Sequence, residues 1–344
     1  FEVRVCVTAQ HREMLDQVLD IFNIKTDFDL NLMKDSQTLE NITARIIVKV
    51  SEVLENYLPD VVLVHGDTTT TFASSLASFY KKIPICHVEA GLRTGDIYSP
   101  WPEEINRKLT ASMAKVHFAP TDISKQNLIQ ENINEKDIHV TGNTVIDALF
   151  MMKEKILSNR TLKKELDNNM NFLDPSKKVL LVTGHRRENF GGGFKNIFET
   201  LRDISIKHKD IQIVYPVHLN PNVRKPAKEI LSDVDNVYLI EPLEYLSFIN
   251  LMMKSHIILT DSGGIQEEAP SLGIPVLVLR EKTERPEAVF AGTVKLVGTD
   301  KEKIINACNE LLLDSQLHEK MSKSINPYGD GQAAGRIVAK IKKL

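Results

Sequence analysis

The sequence predicts an α/β protein made of two doubly wound, Rossmann-like domains facing a cleft. Three observations carry that prediction. Short apolar runs alternate with longer amphipathic stretches along the chain, the pattern of parallel strands covered by helices on both faces. The alternation occurs twice, with a charged, helix-patterned segment at 151–177 between the two series. Several strand candidates end in small or charged residues, at the end of the sheet where such folds bind ligands. A length of 344 residues suits two domains better than one.

In the first series the strand candidates are VRVCVT (3–8), VVLVHG (61–66), IPICHV (83–88), KVHFAP (115–120) and IHVTG (138–142). In the second they are VLLVTG (179–184), IQIVYPV (211–217), NVYLIEP (236–242), IILTDS (257–262), PVLVLR (275–280) and TVKLVG (293–298). Stretches such as 41–57 and 194–208 have helical periodicity, and 151–177 is expected to be a linking helix. The expected domains are 1–143 with 325–344, and 144–324.

Composition narrows the function. Apolar content of 42% and charged content of 26% are those of a soluble globular protein. A net charge of −3 with no basic block gives no support to nucleic-acid binding. No apolar run approaches the roughly 20 residues that cross a bilayer, and no signal peptide is visible. Three widely spaced cysteines, Cys6, Cys86 and Cys308, point to reduced thiols and a cytoplasmic setting.

Chemistry is sought at the strand ends. In TDSGGIQEEAP the strand ends near Thr260, and Ser262, Gly263 and Gly264 open a helix. Small residues there let a phosphate approach free backbone N–H groups at the positive end of the helix dipole. Glu268, about one and a half turns in, can reach the hydroxyls of an attached ribose. An Asp/Ser N-cap with acidic first-turn residues gives the same pattern. In LLVTGHRRENFGGGF, His185 and Arg186 follow a strand and suit a diphosphate, while a solvated loop with a salt bridge to Glu188 is the plainer reading.

The first domain offers carboxylates: Asp67 after VVLVHG, Glu89 after IPICHV, and Glu103 and Glu104 in a helical first turn, with Arg107 sharing a face with Glu103. Such a group suits general acid/base work. Asp67 can equally be an N-cap, and Glu103 and Glu104 can simply complement the helix dipole. Glu89 has no such excuse, since a carboxylate ending an apolar strand is costly without a partner. No metal-ligand pattern, G-x-S-x-G elbow, P-loop or nicotinamide-type G-x-G-x-x-G follows a strand, so neither metal nor cofactor is expected.

The motifs VHGDTTTT, HVEAGLRTGD, PWPEEINR, TGNTVIDAL, TGHRREN, TDSGGIQEEAP, GIPVLVLR, TERPEA and NPYGDG resemble those of the non-hydrolysing UDP-N-acetylglucosamine 2-epimerases. The resemblance runs from the first residues to the last helix. It implies the GT-B arrangement, interconversion of UDP-GlcNAc and UDP-ManNAc, a homodimer, and supply of ManNAc for surface polysaccharides. It implies acid/base roles for Asp67, Glu89 and Glu103, diphosphate contact for His185, and an active-site place for Arg107. Ser262 and Gly263 match the phosphate turn, and Glu268 the ribose carboxylate. Family members begin with a further strand and a Gly-Thr-Arg-Pro-Glu loop; Phe1 matches the second strand, so one βα unit of about 30 residues is expected upstream. The bacterial members' activation by substrate places a second UDP-GlcNAc near Gln10, His11 and Arg12, which also read as a capped solvated loop. The last helix, with Ala334, Ile337, Val338 and Ile341 on one face, is expected to return to the first domain.

The family's reaction fits an elimination. The C2 proton of GlcNAc is not beside a carbonyl, so its loss is expected to accompany departure of UDP, giving 2-acetamidoglucal before UDP adds back. A glycosyltransferase sharing the UDP site, or a hydrolysing epimerase that releases ManNAc, are the rival readings.

Overall fold

The computed structural model describes residues 1–9, 12–32 and 37–344. The chain forms two compact units: Phe1–Asn143 with Ala334–Leu344, and Thr144–Ala333.

The first unit contains β1 (Cys6–Val7), β2 (Phe28–Asp29), β3 (Val62–His65), β4 (Ile85–Val88), β5 (Val116–Ala119) and β6 (Ile138–Val140). Strands β3, β4, β5 and β6 form a parallel sheet in that order, and β1 pairs in parallel with β2. The sequence reading did not foresee β2, whose two residues are too few to show alternation. It drew the first strand over 3–8, whereas only Cys6 and Val7 pair. The helix Leu39–Tyr57 buries Ile42, Ile46, Val50 and Leu54, one residue per turn, against Ala73 and Ala77. Thr38 caps it, its hydroxyl accepting from the Asn41 N–H.

The second unit holds β7 (Lys178–Thr183), β8 (Ile211–Pro216), β9 (Val237–Ile240), β10 (Ser255–Thr260), β11 (Val276–Val278) and β12 (Val294–Leu296). All six are parallel, in the order β12-β11-β10-β7-β8-β9. The chain starts at β7, winds out to β9, then crosses back to lay β10 on the other side of β7. That reversal makes the carboxyl ends of β7 and β10 a topological switch point, the place where open α/β sheets bind ligands. Beneath it, the helix Gly192–Lys207 buries Phe194, Ile197, Phe198, Leu201 and Ile204. Fully burying each such side chain contributes about 1.5–3 kcal/mol.

One expected linker and one expected boundary are corrected. The segment 151–177 is not a link: the helix Thr144–Ser158 buries Ile146, Leu149, Met152 and Ile156, and Asp167 beyond it pairs with Lys254 at 2.7 Å and Asn250 at 3.2 Å. The return to the first unit comes at Ala334 rather than 325. Asn326 donates to the Glu267 carbonyl at 2.7 Å and the buried Tyr328 hydroxyl donates to Glu287 at 3.0 Å, which ties the intervening stretch to the second unit. In the final helix, Ala333–Ile341, Ile337 packs among Cys86, Val88, Val116 and Phe118 with Ile341 beside it. Ala334 and Val338 are exposed, so the apolar strip is narrower than expected. Among the described residues no helix is long and apolar enough to cross a membrane.

Candidate active site

In the second unit the switch point joins two turns. Thr260 ends β10, and Ser262 is the N-cap residue of the helix Gly263–Ser271 without a side-chain capping bond. The first-turn N–H groups are therefore left for another acceptor. A Cβ on Gly263 would lie 2.3 Å from the Arg285 Nη1; only glycine lets that guanidinium sit against the turn. Asp261 caps nothing here. Fully buried, it accepts from the N–H groups of His185 at 3.0 Å and Arg186 at 2.9 Å, and from Asn189 Nδ2 at 3.2 Å. The end of β10 thereby locks the turn after β7. The carbonyl of Gly184, in that same turn, accepts from the buried Tyr215 hydroxyl on β8 at 3.0 Å.

His185 Nδ1 lies 3.5 Å from Asp261, and its ring stacks on His218. Burial holds the imidazole below its ordinary range, with Asp261 pulling the other way. Arg186 Nη2 is 3.9 Å from Glu284. Burial alone would raise the Glu284 carboxyl, but Arg285 and Arg280 bring it down to about 2. Glu188 pairs with Arg280 at 2.7 Å, so the bridge foreseen for it exists, with a partner from beyond β11.

The two consecutive glutamates differ sharply. Glu267 is buried against Arg285 at 2.5 Å. Glu268, also buried, accepts from the Tyr245 hydroxyl at 2.8 Å. Burial pushes its carboxyl up to about 7, the Tyr245 bond opposing and Glu267 reinforcing the shift. Glu268 thus meets a neutral donor, while Glu267 meets a cation.

In the first unit Asp67 follows β3 and Glu89 follows the adjacent β4. Asp67 is not the helix cap; Thr68 is, its hydroxyl accepting from the Thr71 N–H. Arg107 instead reaches Asp67 at 2.8 Å and Glu104 at 3.0 Å. The expected face sharing of Arg107 with Glu103 gives way to this i,i+3 pair with Glu104, which is fully buried and also accepts from the N–H groups of Thr94 and Gly95, each at 3.2 Å. Glu103 stands half-buried at the start of the same helix, Glu103–Met113. Glu89 accepts from Asn143 at 3.0 Å, has His65 at 3.8 Å, and takes a left-handed φ of 63°. A non-glycine residue at such an angle is uncommon.

The structure therefore gathers Asp67, Glu89, Glu103 and Arg107 in one unit, and His185, Arg186, Ser262, Gly263, Gly264 and Glu268 in the other. Arg12 is exposed and pairs with Asp16 at 2.8 Å and Asp29 at 2.5 Å; Gln10 and His11 lie outside the described residues. Sequence reasoning missed Tyr245 and Arg285, and it named Glu104 and Asp261 only as a first-turn acid and a helix cap, without their partners. No group of three His, Cys, Asp or Glu among the described residues could hold a metal.

The family profile described as UDP-N-acetylglucosamine 2-epimerase matches residues 1–342. The UDP-N-acetylglucosamine 2-epimerase of Escherichia coli K12 is 60% identical over 342 residues, covering 99% of this chain and 91% of that protein. A crystal structure of UDP-GlcNAc 2-epimerase from Neisseria meningitidis bound to UDP-GlcNAc superimposes with a TM-score of 0.93 at 57% identity, covering 99% of this chain and 92% of its own. The Methanocaldococcus jannaschii enzyme in complex with UDP-GlcNAc and UDP gives 0.81 at 35% identity, covering 99% and 92%. With a profile and relatives that span nearly its whole length, the chain belongs to the UDP-N-acetylglucosamine 2-epimerase family.

Proposed function

We propose that this chain interconverts UDP-GlcNAc and UDP-ManNAc by eliminating UDP and adding it back, without releasing free ManNAc. In the first half-reaction a carboxylate removes the C2 proton. The C1–O bond breaks, its electron pair leaves with UDP, and 2-acetamidoglucal remains. In the second, C2 is protonated from the opposite face and UDP oxygen re-attacks C1. Proton transfer of this kind from a placed side chain contributes about 10²–10⁴-fold per group.

The observation that carries the reading is the division of chemistry between the turns. Uncapped N–H groups at Gly263 and Gly264, with His185 and Arg186 after β7, suit a leaving diphosphate. Glu268 suits the ribose hydroxyls. Asp67 and Glu89, ending adjacent strands, together with Glu103 supply the acid/base types, with Arg107 holding Asp67. Relatives solved with UDP-GlcNAc or UDP support the choice of ligand. The resemblance further supports a homodimer and a use of the product in surface polysaccharide synthesis; sedimentation reads the former.

The test is incubation of the protein with UDP-GlcNAc in D2O. Deuterium at C2 of UDP-ManNAc, scrambling of an 18O label from the C1–O bridge into the diphosphate, and no free ManNAc are expected. UDP-ManNAc formed without C2 deuterium would exclude the elimination.

A further inference from the structure

His87 is fully buried in β4, two residues before Glu89. Its Nε2 lies 2.8 Å from the carbonyl oxygen of Gly66. A carbonyl only accepts, so the ring nitrogen facing it carries the proton. Burial drives the imidazole down to about 3, against the upward pull of the Gly66 bond, so the ring is neutral at working pH and its Nε2–H tautomer is set. Nδ1 is buried with no hydrogen-bond partner among the described residues. Among the described residues the Gly66 bond is thus the ring's one hydrogen bond.

That turn carries Asp67. Gly66 has a φ of +69°, and a Cβ there would meet the Glu89 Oε2 at 3.1 Å. Its N–H donates to the Val88 carbonyl at 3.0 Å. Both polar groups of Gly66 are therefore gripped by β4, the N–H by the backbone and the carbonyl by His87. The neighbouring carbonyls are held too: His65 by the Thr71 hydroxyl at 2.5 Å, Asp67 by Asn106 Nδ2 at 2.9 Å. His87 is thus two residues from one carboxylate along the chain and one hydrogen bond from the residue before the other.

We propose that His87 is a positioning residue for proton transfer: by holding the Gly66 carbonyl it sets the aim of Asp67 relative to Glu89. The proposal rests on the reading of those carboxylates as acid/base groups.

Two substitutions separate positioning from packing. A glutamine at 87 places its amide nitrogen where Nε2 stands, whereas an asparagine reaches only as far as Nδ1. His87→Gln should keep kcat within a few-fold of wild type. His87→Asn should lose on the order of 100-fold in kcat, the scale of a misplaced reacting group, while KM and the calorimetric affinity for UDP hold in both. Equal kcat losses in the two variants, or a change confined to KM, overturn the proposal. Asp67→Asn is run alongside. Full turnover in it brings down the carboxylate reading and this proposal together; a dead Asp67→Asn beside an unaffected His87→Asn brings down this proposal alone. Imidazole nitrogen shifts of the wild-type protein give an answer that needs no folded variant. A neutral Nε2–H ring from about pH 5 to 8 is expected, and an Nδ1–H ring overturns the assignment.

Discussion

The turn after β3 and the turn after β7 share an anchor and differ in everything built on it. In each, a glycine carbonyl is held by a buried ring on the next strand: Gly66 by His87, Gly184 by Tyr215. Beyond the glycine the charges reverse. After β7 a buried carboxylate, Asp261, grips backbone N–H groups, and the side chains left over are the cationic Arg186 and His185, which burial holds toward its neutral form. After β3 a buried cation, Arg107, grips the carboxylate of Asp67 itself. The turn that carries Arg186 is thus braced by a carboxylate whose acceptor capacity is already taken up by donors. The turn that carries Asp67 is braced by a guanidinium.

The comparison breaks most visibly at the carboxylates. Asp67→Asn and Glu89→Gln should each lower turnover by about 10²–10⁴-fold while UDP affinity holds. Wild-type turnover in either returns that residue to a structural role. Next comes the brace. Arg107→Met strips the fully buried Glu104 of its cation, and chemical denaturation should show a loss of about 3–5 kcal/mol. A loss no larger than that of an exposed pair would mean that the amides of Thr94 and Gly95 suffice for Glu104.

In the second unit the effects are smaller and fall on binding. Glu268→Ala should weaken UDP by roughly tenfold or more, the worth of a charged hydrogen bond of about 1.5–3 kcal/mol; unchanged calorimetric affinity sinks the ribose assignment. Its titration sharpens the point. With the carboxyl raised to about 7 from an ordinary 4.5, the folded protein holds a proton that the unfolded chain releases. Stability of the ligand-free protein from this group is therefore present below about 4.5 and lost as pH rises through about 7. UDP affinity moves the opposite way, rising through the same window as the ionised carboxylate gains acceptor capacity. Glu268→Gln should flatten both curves. The smallest change is Tyr245→Phe, which should cost about 1 kcal/mol in UDP binding and move the midpoint of the affinity curve upward.

Much of this was legible in the sequence, for a physical reason. Strands and their ends are local: β3, β4, β7 and β10 each show as an apolar run stopped by a small or charged residue, and Asp67, Glu89, His185 and Ser262 sit at those stops. The braces are not local. Asp261 reads as a helix cap, because Asp-Ser before two glycines is what a cap looks like; its partner Arg186 lies 75 residues upstream, in the turn after β7. Glu104 and Glu103 are indistinguishable as first-turn acids until the loop at Thr94 folds back on one of them. Tyr245 shows nothing beyond an aromatic in an amphipathic helix. His87 did leave a trace, lying two residues before Glu89 and so on the same side of β4, but period alone does not say whether a buried histidine meets a metal, a carbonyl or nothing.

The final helix has a consequence for the order in which the molecule can be made. Ile337 sits among Cys86, Val88, Val116 and Phe118, yet all of Thr144–Ala333 is translated between them. On a ribosome the second unit can close its own core while the first still exposes that apolar face, reversing the usual amino-first sequence of domain folding. The first unit lacks Ile337 until Ala334–Leu344 has emerged, so a chain stopped short of Ala334 would carry a closed second unit beside a first unit with an open, aggregation-prone face.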